Sequence, residues 1–140
     1  MLTIGKLAQE TGVKVPTIRY YEQIGLLPAP ERSTGNQRLY GAGQLDRLRF
    51  VRHARDLGFP LEAIRDLLSL SDRPDQSCAG ADGIAREQLI AVRARITRLQ
   101  ALEGELQRMV AQCDHGTIRD CRVIEVLGDH ALCQHHHAAA

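Results

Sequence analysis

Three cysteines of this 140-residue chain, Cys78, Cys113 and Cys121, carry the side-chain chemistry that asks for explanation first. Thiolates are soft ligands that suit zinc, cadmium, lead, mercury and copper(I). Cys113 and Cys121 bound the segment Cys-Asp-His-Gly-Thr-Ile-Arg-Asp-Cys, short enough to fold around one ion, with Asp114 and His115 inside it as candidate additional donors. Cys78 stands far upstream. The residues between, from about Ala79 to Gln112, read as one amphipathic helix, which puts Cys78 and Cys113 of a single chain roughly 50 Å apart at about 1.5 Å per residue. Two copies of the helix paired antiparallel bring each Cys78 beside the Cys113–Cys121 loop of the other copy. That is a thiolate metal site spanning a dimer, the arrangement of a sensor rather than an enzyme. The bland alternative, three inert core cysteines, is disfavoured by their gathering at the two ends of one helix. A last group, Cys133-Gln134-His135-His136-His137 with His130 nearby, reads either as a second, peripheral metal site or as a disordered or appended end.

The elements that must position these groups are mostly helical. Ile4, Leu7 and Ala8 mark a first helix with Thr3 as its N-cap, ended by Gly12. A second opens near Val15 with Pro16 in its first turn, turns Ile18 and Tyr21 inward, and ends at Gly25 before Pro28 and Pro30. The spacing Ala8, Gly12, Ile18 gives a close approach, a sharp turn and a β-branched wedge, a helix-turn-helix pattern. Arg32 through Tyr40, with Ser-Thr-Gly-Asn at its centre, predicts a short β-hairpin with basic tips. A third helix is expected from about Gly43 to Leu57 with Leu45, Leu48, Val51 and Ala54 inward, and a fourth from Leu61 through Ile64, Leu67 and Leu68. Ser71 to Gly83, polar and holding Pro74 and two Gly, reads as a hinge. Along the long helix Leu89, Val92, Ile96, Leu99, Leu102, Leu106 and Met109 recur at steps of three and four, with Cys113 on the next step. So narrow a stripe needs a partner, and a coiled-coil homodimer supplies it more economically than the chain's own N-terminal half.

Composition bounds the function. Apolar residues are 44%, charged residues 25% and aromatics 4% with no Trp, a globular balance that suits an all-helical fold. No apolar run reaches the roughly 18 residues that cross a bilayer, and no signal-peptide core is present, so the expectation is a cytoplasmic protein with no membrane partner. In a reducing compartment four cysteines favour metal or redox chemistry over structural disulfides. Charge is uneven: residues 1–56 hold nine Lys/Arg against five Asp/Glu, whereas residues 75–140 hold seven against nine. The basic half fits a polyanion. With Ile18 and Tyr21 inward, Lys14, Thr17, Arg19 and Tyr20 lie on the outer face of the second helix, where such residues bind phosphate or base edges. Arg32 and Arg38 on the hairpin reach neighbouring phosphates, and Arg52, His53 and Arg55 form either a further phosphate patch or a solvated surface.

Thr17-Ile18-Arg19-Tyr20-Tyr21-Glu22, then Gly25-Leu26-Leu27-Pro28, then Arg38-Leu39-Tyr40 resembles the signature of MerR-family transcription regulators. Ile4-Gly5-Lys6-Leu7-Ala8 and Arg52-His53-Ala54-Arg55-Asp56-Leu57-Gly58-Phe59 extend the likeness, which runs to about Leu127. The resemblance implies a mainly α fold: a winged helix-turn-helix DNA-binding domain over residues 1–70, a hinge and antiparallel coiled-coil dimerisation helix over 71–112, and a metal-binding loop, short helix and tail over 113–140. It implies a homodimer seated on double-stranded promoter DNA whose two recognition elements are spaced too far apart for RNA polymerase. Effector binding then distorts the DNA and realigns them, activating metal-resistance or efflux genes. Arg19, Tyr20, Arg32, Arg38 and Arg55 are the DNA contacts this carry-over favours.

Within that family a cysteine at Cys78 is typical of the divalent-ion branch, which makes this chain similar to zinc, cadmium and lead regulators. The Cys-x₇-Cys loop departs from them, matching the copper(I) branch in length and lacking the adjacent cysteine pair of zinc sensors. The metal ligands expected are Cys78, Cys113 and Cys121, with His115 a further donor that would tilt the site towards zinc. Three thiolates and a divalent ion leave about one negative charge, which Arg119 or Arg122 would offset. A copper(I)- or mercury-responsive regulator is the near alternative. An iron–sulfur redox sensor would need four closely spaced cysteines after the helix. A multidrug-binding regulator would need an added effector domain. A metal-dependent enzyme would need an open coordination position, a base and a substrate pocket, and a short loop on a helix end offers no evident pocket.

Overall fold

In the computed structural model, which describes residues 1–133, the chain divides into two compact units between Gln88 and Leu89. The first unit opens with α1 (Ile4–Thr11), where the Thr3 hydroxyl accepts from the Lys6 N–H. Gly12 closes α1 at φ 72°, its N–H returning to the Ala8 carbonyl, a left-handed cap that a side chain would strain. Helix α2 (Val15–Gln23) begins with Pro16 in its first turn, and Gly25 at φ 76° turns the chain away. The hairpin follows: β1 (Glu31–Arg32) runs antiparallel to β2 (Arg38–Leu39), with Arg32 opposite Arg38. Its base is tied to the N-terminus by Leu2 and Tyr40, which exchange N–H···O bonds of 2.7 and 2.8 Å.

Helices α3 (Ala42–Asp56) and α4 (Leu61–Ser71) complete this unit with the first turns of α5 (Ala79–Ala111). Of the inward residues the 3.6-residue period predicts, Leu7, Ile18, Leu48, Val51 and Ile64 are essentially inaccessible, and Leu26, Leu27 and Tyr40, which lie outside the helices, join them in the core. Tyr21, Ala54 and Leu68 are buried beside them, and Leu45 packs on the margin. Each buried aliphatic side chain contributes about 1.5–3 kcal/mol relative to exposure, which holds α1, α2, α3 and α4 around one centre.

The polar stretch expected as a hinge over Ser71–Gly83 is shorter than its composition suggests. Helix α4 runs through Ser71 and α5 starts at Ala79, so Gly80 and Gly83 are helical. A Cβ at Gly80 would stand 3.3 Å from Leu70 Cδ1. The glycine there admits a close approach of α5 to α4, and its value is packing rather than looseness. Gln88 Nε2 donates to the Leu57 carbonyl at 3.1 Å, anchoring the same stretch of α5 to the end of α3.

The second unit is the remainder of α5, a 3₁₀ turn at Ile118–Asp120, the short helix α6 (Arg122–Gly128) and a last 3₁₀ turn at His130–Leu132. The seam of α5 divides in two. Ile96, Leu99 and Leu106 are exposed, and Leu99, Leu102, Leu106 and Val110 line an open apolar groove of about 790 Å³. Met109, expected on that seam, is turned the other way and buried, and Val126 of α6 and Leu132 border the same small cleft. Its place on the open stripe is taken by Val110, which is 71% exposed. Cys113 lies past the helix end, with its N–H returning to the Val110 carbonyl, so the seam does not continue through it.

Candidate functional site

On α2 the local sequence separates a buried face from an open one. Ile18 and Tyr21 are buried, Lys14, Arg19 and Tyr20 are exposed, and Thr17 is partly covered. Arg19 shares a cleft of about 430 Å³ with Glu22, Gln23, Arg32 and Arg38, so three of the arginines singled out from sequence line one concave surface between α2 and the hairpin. Arg32 sits at the strand end with its guanidinium donating to the Asn36 carbonyl at 3.1 Å, inside the turn that Asn36 makes at φ 62°.

Two residues that the sequence reading gave no role organise this cleft. Glu22 accepts a hydrogen bond from the Tyr40 hydroxyl through one carboxylate oxygen, and its other oxygen lies 3.5 Å from Arg38 Nε. Tyr40 is fully buried, and that burial, reinforced by the Glu22 carboxylate, pushes its phenol well above the ordinary tyrosine range. The carboxylate therefore meets a neutral donor on one side and a cation on the other. Arg38 is held at the cleft wall by a residue of α2. The signal available in sequence was the acidic residue directly after Tyr20-Tyr21, an anomaly on a basic face.

Arg52 and Arg55 behave differently. Arg52 Nη1 donates to the Thr11 carbonyl at 2.6 Å, satisfying the end of α1, and Arg52 Nε lies 3.8 Å from Asp56. Arg55 Nη1 donates to the Phe59 carbonyl at 2.8 Å. Both remain partly open to solvent, yet each guanidinium has a bond within the fold.

In the second unit the loop after α5 is built by its own polar residues. Asp114 Oδ1 accepts from the Gly116 N–H at 2.9 Å, and His115 between them takes a left-handed conformation at φ 60°. That turn uses the Asp114 carboxylate and leaves His115 exposed. Cys121 is the residue before α6, and its carbonyl accepts from the Glu125 N–H. All four cysteines are free thiols; Cys113 and Cys121 are partly buried and Cys78 is exposed at the start of α5. Among the described residues of one chain, no three His, Cys, Asp or Glu side chains come together as a metal-binding group. The loop thus offers two soft donors, a chemically suitable but incomplete set. Arg122 is engaged by Gln112 and Glu125. Gln134 to His137 of the terminal group lie outside the described residues. No helix among the described residues is long and apolar enough to cross a membrane.

A helix-turn-helix with a basic cleft against a β-hairpin, followed by a long helix, is the build of a winged DNA-binding regulator. Residues 2–71 match the model of the MerR HTH family regulatory protein, and residues 45–109 match that of MerR, DNA binding. The chain belongs to the MerR family, whose members are transcription regulators and not enzymes. It is 42% identical over 131 residues to the HTH-type transcriptional regulator ZntR of Escherichia coli K12, covering 91% of this chain and 92% of that one. Among solved structures it is similar to the lead(II) complex of the transcription regulator PbrR691 from Ralstonia metallidurans CH34, with a TM-score of 0.75 and 40% identity, over 91% of this chain and 99% of that one. It is also similar to the mercury(II) complex of MerR from Bacillus megaterium MB1, with a TM-score of 0.63 and 32% identity, over 91% and 100% of the two chains.

Proposed function

We propose that this chain is a metal-responsive transcriptional regulator that binds promoter DNA as an antiparallel homodimer and activates metal-resistance genes when a divalent ion is bound. Cys113 and Cys121 of one protomer and Cys78 of the other hold the ion, with zinc, cadmium and lead the candidates. Lys14, Thr17, Arg19, Tyr20, Arg32 and Arg38 face the DNA, joined by Arg52 and Arg55 to the extent that their internal bonds allow. Residues 1–70 act as the DNA-binding domain, 71–112 as connector and dimerisation helix, and 113–140 as the sensing segment, in the cytoplasm and in concert with RNA polymerase at the promoter.

The observation that carries this reading is the pair of free loop thiols with no third donor gathered beside them among the described residues of their own chain. The whole of α5 stands between them and Cys78. A closed soft-metal site of three or four donors therefore asks for a second chain, and the apolar groove on α5 is a surface through which one would attach. The relatives lend support, because the solved regulators similar to this chain include lead(II) and mercury(II) complexes.

The test is complementation between subunits. Homodimers of Cys78→Ser and of Cys113→Ser each lack a ligand in both sites, whereas their heterodimer regains one intact site. Equilibrium dialysis with cadmium is expected to give one tightly held ion per heterodimer and none for either parent. Verified heterodimers that take up no cadmium would refute the cross-subunit site. Competition among zinc, cadmium, lead and copper(I) on the reduced protein then identifies the preferred ion.

A further inference from the structure

Resting on that metal reading, we infer that Gln112 and Arg122 form a clasp that closes the base of the sensing loop and holds its two thiols ready for the ion. Gln112 directly precedes Cys113, and Arg122 directly follows Cys121. Arg122 Nε donates to Gln112 Oε1 at 2.7 Å, so the side chains flanking the two cysteines on the outside are bonded to each other. The same guanidinium is oriented from its other edge by Glu125, one turn further along α6, through Nη1 at 2.9 Å. Beneath the pair, Met109 and Val126 are buried, and a cleft of only about 10 Å³ separates Glu105, Arg108, Met109 and Gln112 from Arg122, Val126 and Leu132. The last turn of α5 and the first turn of α6 are thus joined by an apolar plug inside and a polar clasp outside.

The consequence for binding is entropic. A loop whose ends are free must lose that freedom when both cysteines ligate one ion, and a loop already closed at its base has lost it beforehand. A partly exposed hydrogen bond to a guanidinium biases the closed form by about three- to tenfold, or roughly 0.7–1.4 kcal/mol. Gln112 and Arg122 are positioning residues: neither is a donor to the ion.

The test uses full-length protein with Gln112→Ala, which removes the acceptor, and Gln112→Glu, which keeps it. Backbone hydrogen exchange is followed in the metal-free protein at Asp120, Cys121 and Glu125, whose N–H groups bond to the carbonyls of Thr117, Ile118 and Cys121. Cadmium affinity is measured by competition with a chelator. Gln112→Ala is expected to speed exchange at those amides and weaken cadmium binding, each by about three- to tenfold. Gln112→Glu is expected to match or exceed the wild type in both, and operator affinity of the metal-free protein should not move. Unchanged exchange in Gln112→Ala overturns the clasp; faster exchange with unaltered cadmium affinity overturns its role in binding. Wild-type protein that takes up no cadmium at Cys113 and Cys121 overturns the metal reading itself, a result the exchange arm keeps distinct.

Discussion

Replacing Tyr40 by Phe removes one oxygen from a fully buried side chain and leaves its ring packing in place. The hydroxyl donates to Glu22, whose side chain is only 11% exposed and whose second oxygen lies near Arg38. Deleting the donor leaves a carboxylate oxygen shielded from water without its neutral partner. Hydrogen bonds to charged groups contribute about 1.5–3 kcal/mol, so urea unfolding at neutral pH and fixed protein concentration should show a loss in that range. The alkaline limb supplies a second signature. The phenol of Tyr40 titrates above its ordinary value of 10.0, because burial and the Glu22 carboxylate both disfavour the phenolate. From about pH 10 upward the unfolded chain releases this proton while the folded chain retains it. The unfolded state then binds fewer protons, and stability falls as pH rises. The wild type should therefore lose stability above about pH 10 more steeply than Tyr40→Phe, and the two curves should converge. Tyr20→Phe, at a half-exposed position, is the control and should change little at any pH. A Tyr40→Phe protein as stable as this control at pH 7, or one with the same alkaline slope as the wild type, would refute the reasoning.

Two further perturbations separate the remaining roles. Arg19→Ala should weaken operator binding and lower the slope of log K against log salt by about one if the guanidinium neutralises a phosphate, as read by fluorescence anisotropy at several salt concentrations. Cys113→Ser should leave the metal-free affinity for the operator within about twofold, because the arginine-lined cleft proposed to meet DNA and the loop belong to different units. On α5, Val110→Asp puts a charge on an open apolar surface and should shift sedimentation equilibrium towards monomer. Met109→Ala empties a buried site and should cost about 2–5 kcal/mol of local stability, seen as faster hydrogen exchange in α6 with the oligomeric state unchanged.

The first unit was legible because its helix ends are marked by residues with single-residue mechanisms: the Thr3 cap, Gly12 and Gly25 at positive φ, and Pro16 in a first turn. Periodicity then assigned Ile18, Tyr21, Leu48, Val51 and Ile64 to the core without help from distant contacts. The extended hinge failed for a reason composition cannot carry. Gly80 looks like a breaker in one dimension, while in three it is the small residue that lets α5 lie close to Leu70. Among the candidate site residues, Arg19, Arg32 and Arg38 were each legible as basic positions, while their meeting in one cleft between α2 and the hairpin is a finding of the structure. An acidic residue on a basic face marks Glu22 as unusual, but its partner Tyr40 lies eighteen residues away, and no local pattern signals that pairing. Arg52 is similar: its bond to Thr11 spans forty-one positions.

The misplacement of Met109 is the most informative of these differences, since it bears on how one helix serves two surfaces. Successive residues on an α-helix are separated by about 100°, so a repeat of three and four keeps one stripe facing one partner. Through Leu99 and Leu106 that stripe is open, and Val110 extends it by a step of four. Met109, one residue earlier, falls on the flank, where burial against α6 competes with membership of the stripe and prevails. Sequence periodicity cannot distinguish 106–109 from 106–110, because both are apolar steps of allowed length. The choice is made by α6, which supplies Val126 as a cover, and by Arg122, whose bond to Gln112 keeps that cover on the flank. The final turn of α5 therefore presents Val110 outward and Met109 inward. A change in how α6 sits bears directly on the turn that carries the end of the open stripe.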